Sequence, residues 1–310
     1  MNQHSANDEA LGDDRLCHVI ASDGVRLDGL LQRTTAKANA DGPSVDLYLL
    51  LHGTGSNFYA AGVLERFAHD ALVDGIDVLR VNTRGHDGIS HLGGPGKRRT
   101  GGAAFEVVSE CRLDVSAWLD WSFHCGYRRV CLAGHSMGGV KSVYAQAYDR
   151  HPLVKAVVAV SSPRFCHRLL MSYPETQPFR DDWQRAEQFV ARGEGSELIR
   201  VTQPLPLWIT AEGFLAKYGP DDPYDIVKWI PHVNCPVQYI IGAQTLAASP
   251  AFFGIDGQLE QIKPACHDLT VSVVADADMN YSVSREKPYE LTATWLRESP
   301  KPEKESGVSV

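Results

Sequence analysis

Long apolar runs are missing from these 310 residues, so no segment is expected to span a membrane. Paired cysteines are missing too. The seven cysteines, at 17, 111, 125, 131, 166, 235 and 266, are odd in number and contain no C-x-x-C spacing. Several sit in apolar stretches, which predicts free buried thiols in a reducing compartment. Also lacking is any basic stripe. Lys and Arg total 30 against 38 Asp and Glu, a net charge of −8, so neither nucleic acid nor an anionic membrane is an expected partner. The one dense basic run, Lys97-Arg98-Arg99, lies in a Gly-rich loop and reads as solvated, with phosphate or carboxylate recognition the lesser alternative. Residues 1–14 are acidic and polar without a charged-then-apolar signal pattern, which predicts a disordered lead and a cytoplasmic protein. No His/Cys/Asp cluster has ligand spacing, so no metal and no cofactor is expected. A small-molecule substrate or ligand is the expected partner, and homodimer formation stays open.

What the chain does have is an alternation of buried strands and helices. Residues 15–21 and 25–33 read as strands around Ser22-Asp23-Gly24, a turn sequence. Residues 45–51, Val-Asp-Leu-Tyr-Leu-Leu-Leu, are nearly all apolar, as in a sheet covered on both faces. Helical patterns at 60–74 and 105–124 then alternate with strand patterns at 76–82, 130–135 and 154–160. Residues 163–231 break the alternation with many aromatics and prolines. It resumes with a strand at 235–242, part of a helix at 258–262, a strand at 269–274 and a helix at 289–298. This order predicts an α/β fold with a mostly parallel, eight-stranded sheet flanked by helices. The core would comprise 15–162 and 234–299, with a cap inserted over 163–233 and a disordered tail over 300–310.

The chemistry is concentrated in Gly134-His135-Ser136-Met137-Gly138-Gly139, which follows an apolar strand and opens a helix. A serine in a strained turn leaves no room for Cβ atoms two residues to either side. The helix aims its first N–H groups at the space above the serine oxygen. This motif resembles the nucleophile elbow of the α/β-hydrolase superfamily. His52-Gly53-Thr54-Gly55 resembles that superfamily's oxyanion loop. With Asn82-Thr83-Arg84-Gly85-His86-Asp87, it suggests the siderophore-esterase-like group. The resemblance covers residues 15–298 and implies the α/β-hydrolase fold. It further implies Ser136 as nucleophile and the backbone N–H groups of Thr54 and Met137 as oxyanion holders. His52, Gly53, Gly55, His135 and Met279 would border the substrate, with cap aromatics such as Trp208 and Phe214 lining an apolar pocket. Those aromatics equally suit a small core of the cap's own.

Two partners of the serine are missing. The superfamily places an acid just after the strand that follows the cap, where this chain reads Gly242-Ala243-Gln244-Thr245. It places a histidine after the last strand, where this chain reads Asp276-Ala277-Asp278-Met279-Asn280-Tyr281. A thioether at 279 cannot accept the serine proton. Asp278 and His86 are the substitute bases to consider, each with a plain structural role as the alternative. Three functions remain open on the sequence. One is an enzyme acting on an ester, lactone or thioester through Ser136 with a degenerate triad. The others are a non-catalytic ligand-binding or partner protein of the same fold, and a lyase or cyclase that uses the oxyanion site without an acyl-enzyme.

Overall fold

Unbroken apolar sequence at Leu47–Leu51 forms a strand buried at every position, and the molecule is built outward from it. The computed structural model describes residues 11–36, 44–94 and 99–298. Its central sheet has eight strands: β1 (Leu11–Ile20), β2 (Arg26–Thr34), β3 (Leu47–Leu51), β4 (Asp77–Val81), β5 (Val130–His135), β6 (Val154–Val160), β7 (Val237–Gly242) and β8 (Leu269–Val274). Their spatial order is β1-β2-β4-β3-β5-β6-β7-β8. β2 runs antiparallel to both β1 and β4, and every later pairing is parallel. The helices are α1 (Val63–Val73), α2 (Cys111–His124), α3 (Met137–Asp149), α4 (His167–Ser172), α5 (Gln177–Ala191), α6 (Ala211–Lys217), α7 (Ile226–Trp229), α8 (Ala243–Ala248), α9 (Ile255–Ile262) and α10 (Lys287–Glu298).

The two-residue period of a strand divides the core. Leu47, Leu49 and Leu51 join Trp118 and Leu119 of α2 and Val143 of α3 on one face. Tyr48 and Leu50 join Phe67 and Ala71 of α1 and Tyr289 and Trp295 of α10 on the other. Covering both faces explains why β3 reads as continuously apolar. Because parallel strands all point the same way, the loops after β3, β4, β5, β7 and β8 gather at one end of the sheet. That end carries the site.

The structure differs from the sequence expectations in several places, among them α2, which begins at Cys111 rather than at 105. β1 begins at Leu11, so residues 11–14 are strand rather than disordered lead; Leu11 pairs with Thr34 and Asp14 with Gln32. The long β2 offers open backbone there, and ladder pairing overrides polar composition. Residues 1–10 and the tail 299–310 lie outside the described residues, as do Lys97 and Arg98; Arg99 joins a small ribbon, Ser90–Leu92 with Arg99–Gly101, and pairs with Glu110. The region between β6 and β7 also holds an antiparallel ribbon, Leu198–Val201 with Leu207–Thr210, among its helices. Its aromatics Phe179, Trp183, Phe214 and Tyr218 form one cluster with Met137, Val140 and Tyr144 of α3. Among the described residues no helix is long and apolar enough to cross a membrane.

Candidate active site

β5 ends at His135 and α3 starts at Met137, which leaves Ser136 alone in the turn at φ 55° and ψ −122°. A non-glycine residue at such angles costs about 1–3 kcal/mol and persists only when its surroundings hold it. They do so here through backbone. The Ser136 N–H donates to the Val160 carbonyl at 2.8 Å, and the Ser136 carbonyl accepts from Gly139 N–H at 3.1 Å. The glycines are steric necessities: a Cβ on Gly134 would stand 2.2 Å from the Gly138 carbonyl carbon, and one on Gly138 would stand 2.0 Å from the Leu51 oxygen.

The His52–Gly55 loop lies against this turn. A Cβ on Gly53 would meet Ser136 Cβ at 3.2 Å, so the backbone of the loop runs within contact of Ser136. The N–H groups of Thr54 and Met137 donate to no group among the described residues, which leaves both for an incoming oxygen. Gly55 takes φ 66° and turns the loop away; it does not border the cavity.

A buried chain of side chains fixes the loop from behind. His52 Nε2 accepts from Thr83 N–H at 3.1 Å, which leaves Nδ1 to donate to the Gly53 carbonyl at 2.8 Å. Burial pushes this imidazole down to about 3, so it is neutral and both its nitrogens are engaged. Thr83 Oγ1 in turn accepts from Lys141 Nζ at 2.8 Å, and Lys141 pairs with Glu106 at 2.5 Å, both almost wholly buried. Lys141 holds the Glu106 carboxyl below its ordinary range against the opposing effect of burial. Lys217 of α6 is buried beside this pair, and desolvation lowers its ammonium to about 8.

The cavity that opens on Ser136 has a volume of about 550 Å³. His52, Gly53, Thr54, His135, Ser136 and Met279 border it. Leu205 is the one cap residue on its wall. Trp208 and Phe214 are not there. Phe214 is fully buried in the cluster shared with α3 and Trp208 is more than half exposed, because the apolar groups between β6 and β7 must first cover one another and α3. Sequence reasoning also missed Ala60–Leu64 at the start of α1, and Asn57, Asn280 and Arg285. Their only sequence signal is position next to motifs already noted.

Neither substitute base reaches the serine. Ser136 Oγ forms no hydrogen bond among the described residues, and Asp278 and His86 do not line its cavity. The Asp278 carboxylate closes its own turn, accepting from the N–H groups of Asn280 at 3.0 Å and Ser282 at 2.9 Å and from Ser282 Oγ at 2.7 Å. Those bonds hold its carboxyl below the usual range, which makes it a weaker base. His86 Nδ1 lies 2.8 Å from Asp87 Oδ2, and Asp87 Oδ1 accepts from Asn57 Nδ2 at 2.7 Å. His135 donates its Nε2 proton to the Met279 carbonyl at 2.9 Å, and burial lowers its pKa. The turns that would hold acid and histidine are nevertheless side by side. Gln244 N–H donates to the Ala277 carbonyl at 3.1 Å, and Thr245 Oγ1 is buried there without a partner among the described residues.

Residues 48–301 match the alpha/beta hydrolase family. The fold is similar to that of an esterase from Pyrococcus furiosus, with 15% identity, TM-score 0.59 and 92% of this chain and 90% of that one covered. It is also similar to an alpha/beta hydrolase from Penicillium sp., with 13% identity, TM-score 0.65 and coverages of 92% and 98%. A dienelactone hydrolase from Anabaena variabilis aligns at 15% identity, TM-score 0.54 and coverages of 93% and 97%. At these identities the likeness is one of fold. No curated protein matches the chain by sequence.

Proposed function

This chain belongs to the alpha/beta hydrolase family, and from that premise we propose an esterase-like enzyme that accepts acyl groups on Ser136 without an imidazole base. One observation carries the reading. Ser136 is held in a strained turn beside two undedicated N–H groups, at the floor of an open cavity. A structural turn has no need of that strain, whereas a nucleophile does.

The missing partners narrow the substrate. Ser136 Oγ would attack the carbonyl carbon, the carbonyl oxygen would take the negative charge between Thr54 and Met137 N–H, and the serine proton would pass to water in the cavity. With no protonated imidazole to assist departure, the leaving group must leave unaided. This favours thioesters, aryl esters and strained lactones over alkyl esters. An oxyanion site and binding alone leave about 10³–10⁴-fold acceleration when triad members are absent.

Met279 on the cavity wall favours a second reading, a non-catalytic ligand-binding protein. A fluorophosphonate probe followed by peptide mass spectrometry separates the two. Modification of Ser136, absent in Ser136→Ala, supports the enzyme. A folded protein left unmodified, yet raised in melting temperature by acyl ligands, supports the binder.

A further inference from the structure

The cavity wall carries a cation with no ion-pair partner among the described residues. Of the residues that border the space above Ser136, none is Asp or Glu, and one, Arg285, is positively charged. Arg285 makes no ion pair and no hydrogen bond with any described residue. The nearby carboxylates keep their charge but form no ion pair with Arg285 among the described residues. Asp278 accepts three bonds within its own turn, and Glu65 accepts from the Gly62 N–H at the start of α1. A second guanidinium stands behind the opposite wall. Arg80, only 8% exposed, donates Nη2 to the carbonyl of Ala60 at 2.8 Å, and the carboxylates of Glu65 and Asp14 offset its charge. Ala60 itself borders the cavity. Both histidines on the wall have lowered pKa values and add no charge at neutral pH. The one guanidinium on the cavity surface, with no ion-pair partner among the described residues, is free to form a bidentate pair.

We infer that the cavity takes an acyl compound bearing a carboxylate, with Arg285 as the residue that holds it. This rests on the reading of Ser136 as the acyl acceptor and adds the class of acyl group: half-esters or half-thioesters of short dicarboxylic acids. The apolar part of the wall, Ala61, Val63, Leu64, Leu205 and Met279, would cover the methylenes between the two ends. Arg285 is exposed, so salt weakens the contact.

The test measures binding on the full chain carrying Ser136→Ala, which removes turnover. Monomethyl glutarate is titrated against dimethyl glutarate by calorimetry, with the succinate and adipate pairs to find the span. The half-ester should bind about tenfold more tightly than the diester, as one charge-assisted pair provides, and the ratio should shrink as salt is raised. Adding Arg285→Gln should bring the ratio close to one, and Arg285→Lys should keep part of it. Equal affinities for half-ester and diester overturn the inference, as does a preference that survives Arg285→Gln. Tighter binding of acetyl phosphate than of any half-ester overturns the assignment to carboxylate. Because no acyl transfer is read out, loss of the Ser136 mechanism leaves this result standing, and the reverse also holds.

Discussion

Met279 decides what Ser136 can do. Its thioether borders the cavity where an imidazole would be needed, and its carbonyl is occupied by His135. The neighbouring turn carries Thr245, whose buried hydroxyl has no hydrogen-bond partner among the described residues. A base without an orienting acid gains little, because the acid fixes the tautomer and stabilises the imidazolium. Met279→His together with Thr245→Asp should therefore raise the initial rate on an aryl ester by about 10², a general-base contribution at the low end of its range. Either change alone should give much less, and equal gains from Met279→His alone would contradict the pairing of these two turns. The residues at this scale were legible where the requirement is local. Gly134, Ser136 and Gly138 announce an elbow because no other residues fit its backbone. Arg285 and Leu205 carry no such mark, since long-range packing alone brings them to the cavity. Trp208 and Phe214 misled because an aromatic suits a pocket and a core equally well.

At the level of elements, the β3 loop is positioned by groups on or beside three others. Glu106 precedes α2, Lys141 lies within α3, and Thr83 follows β4, yet their contacts converge on His52. Lys217 adds a second buried cation near the same carboxylate. Glu106→Gln would leave two buried ammonium groups without a counter-charge, so it should destabilise the fold by about 3–5 kcal/mol, the usual cost of breaking a buried pair. Urea denaturation checks this, and a loss under about 1 kcal/mol would show that water already solvates the cluster. None of this was legible in the sequence, where Glu106 and Lys141 sit in otherwise apolar helical patterns 35 positions apart. The strands were legible because burial on both faces writes itself as apolar runs. The first four residues of β1 were not, because backbone pairing with β2 needs no apolar side chains at Asp13 and Asp14.

For the whole molecule, acid is the weak point. His52 is neutral in the folded state down to about pH 3, whereas in the unfolded chain it takes a proton below about pH 6.5. The unfolded state thus binds more protons across that window. Stability is complete above pH 6.5 and falls toward pH 3 by about 1.4 kcal/mol per pH unit for this imidazole, and His135 acts in the same sense. Unfolding free energies measured from pH 7 to 4 should show the decline, and His52→Asn should flatten it; an unchanged slope would mean that His52 is solvated. The fall should appear as one transition, because the cap aromatics share a cluster with Met137, Val140 and Tyr144 of the core. The most direct test of Ser136 as an acyl acceptor is the intact mass of the full chain after mixing with p-nitrophenyl acetate. Without a base to activate water, deacylation should lag acylation, so a burst of nitrophenolate and a lasting acetyl adduct on Ser136 are the predicted result. A mass spectrum with no adduct at Ser136, matching that of Ser136→Ala, would contradict it.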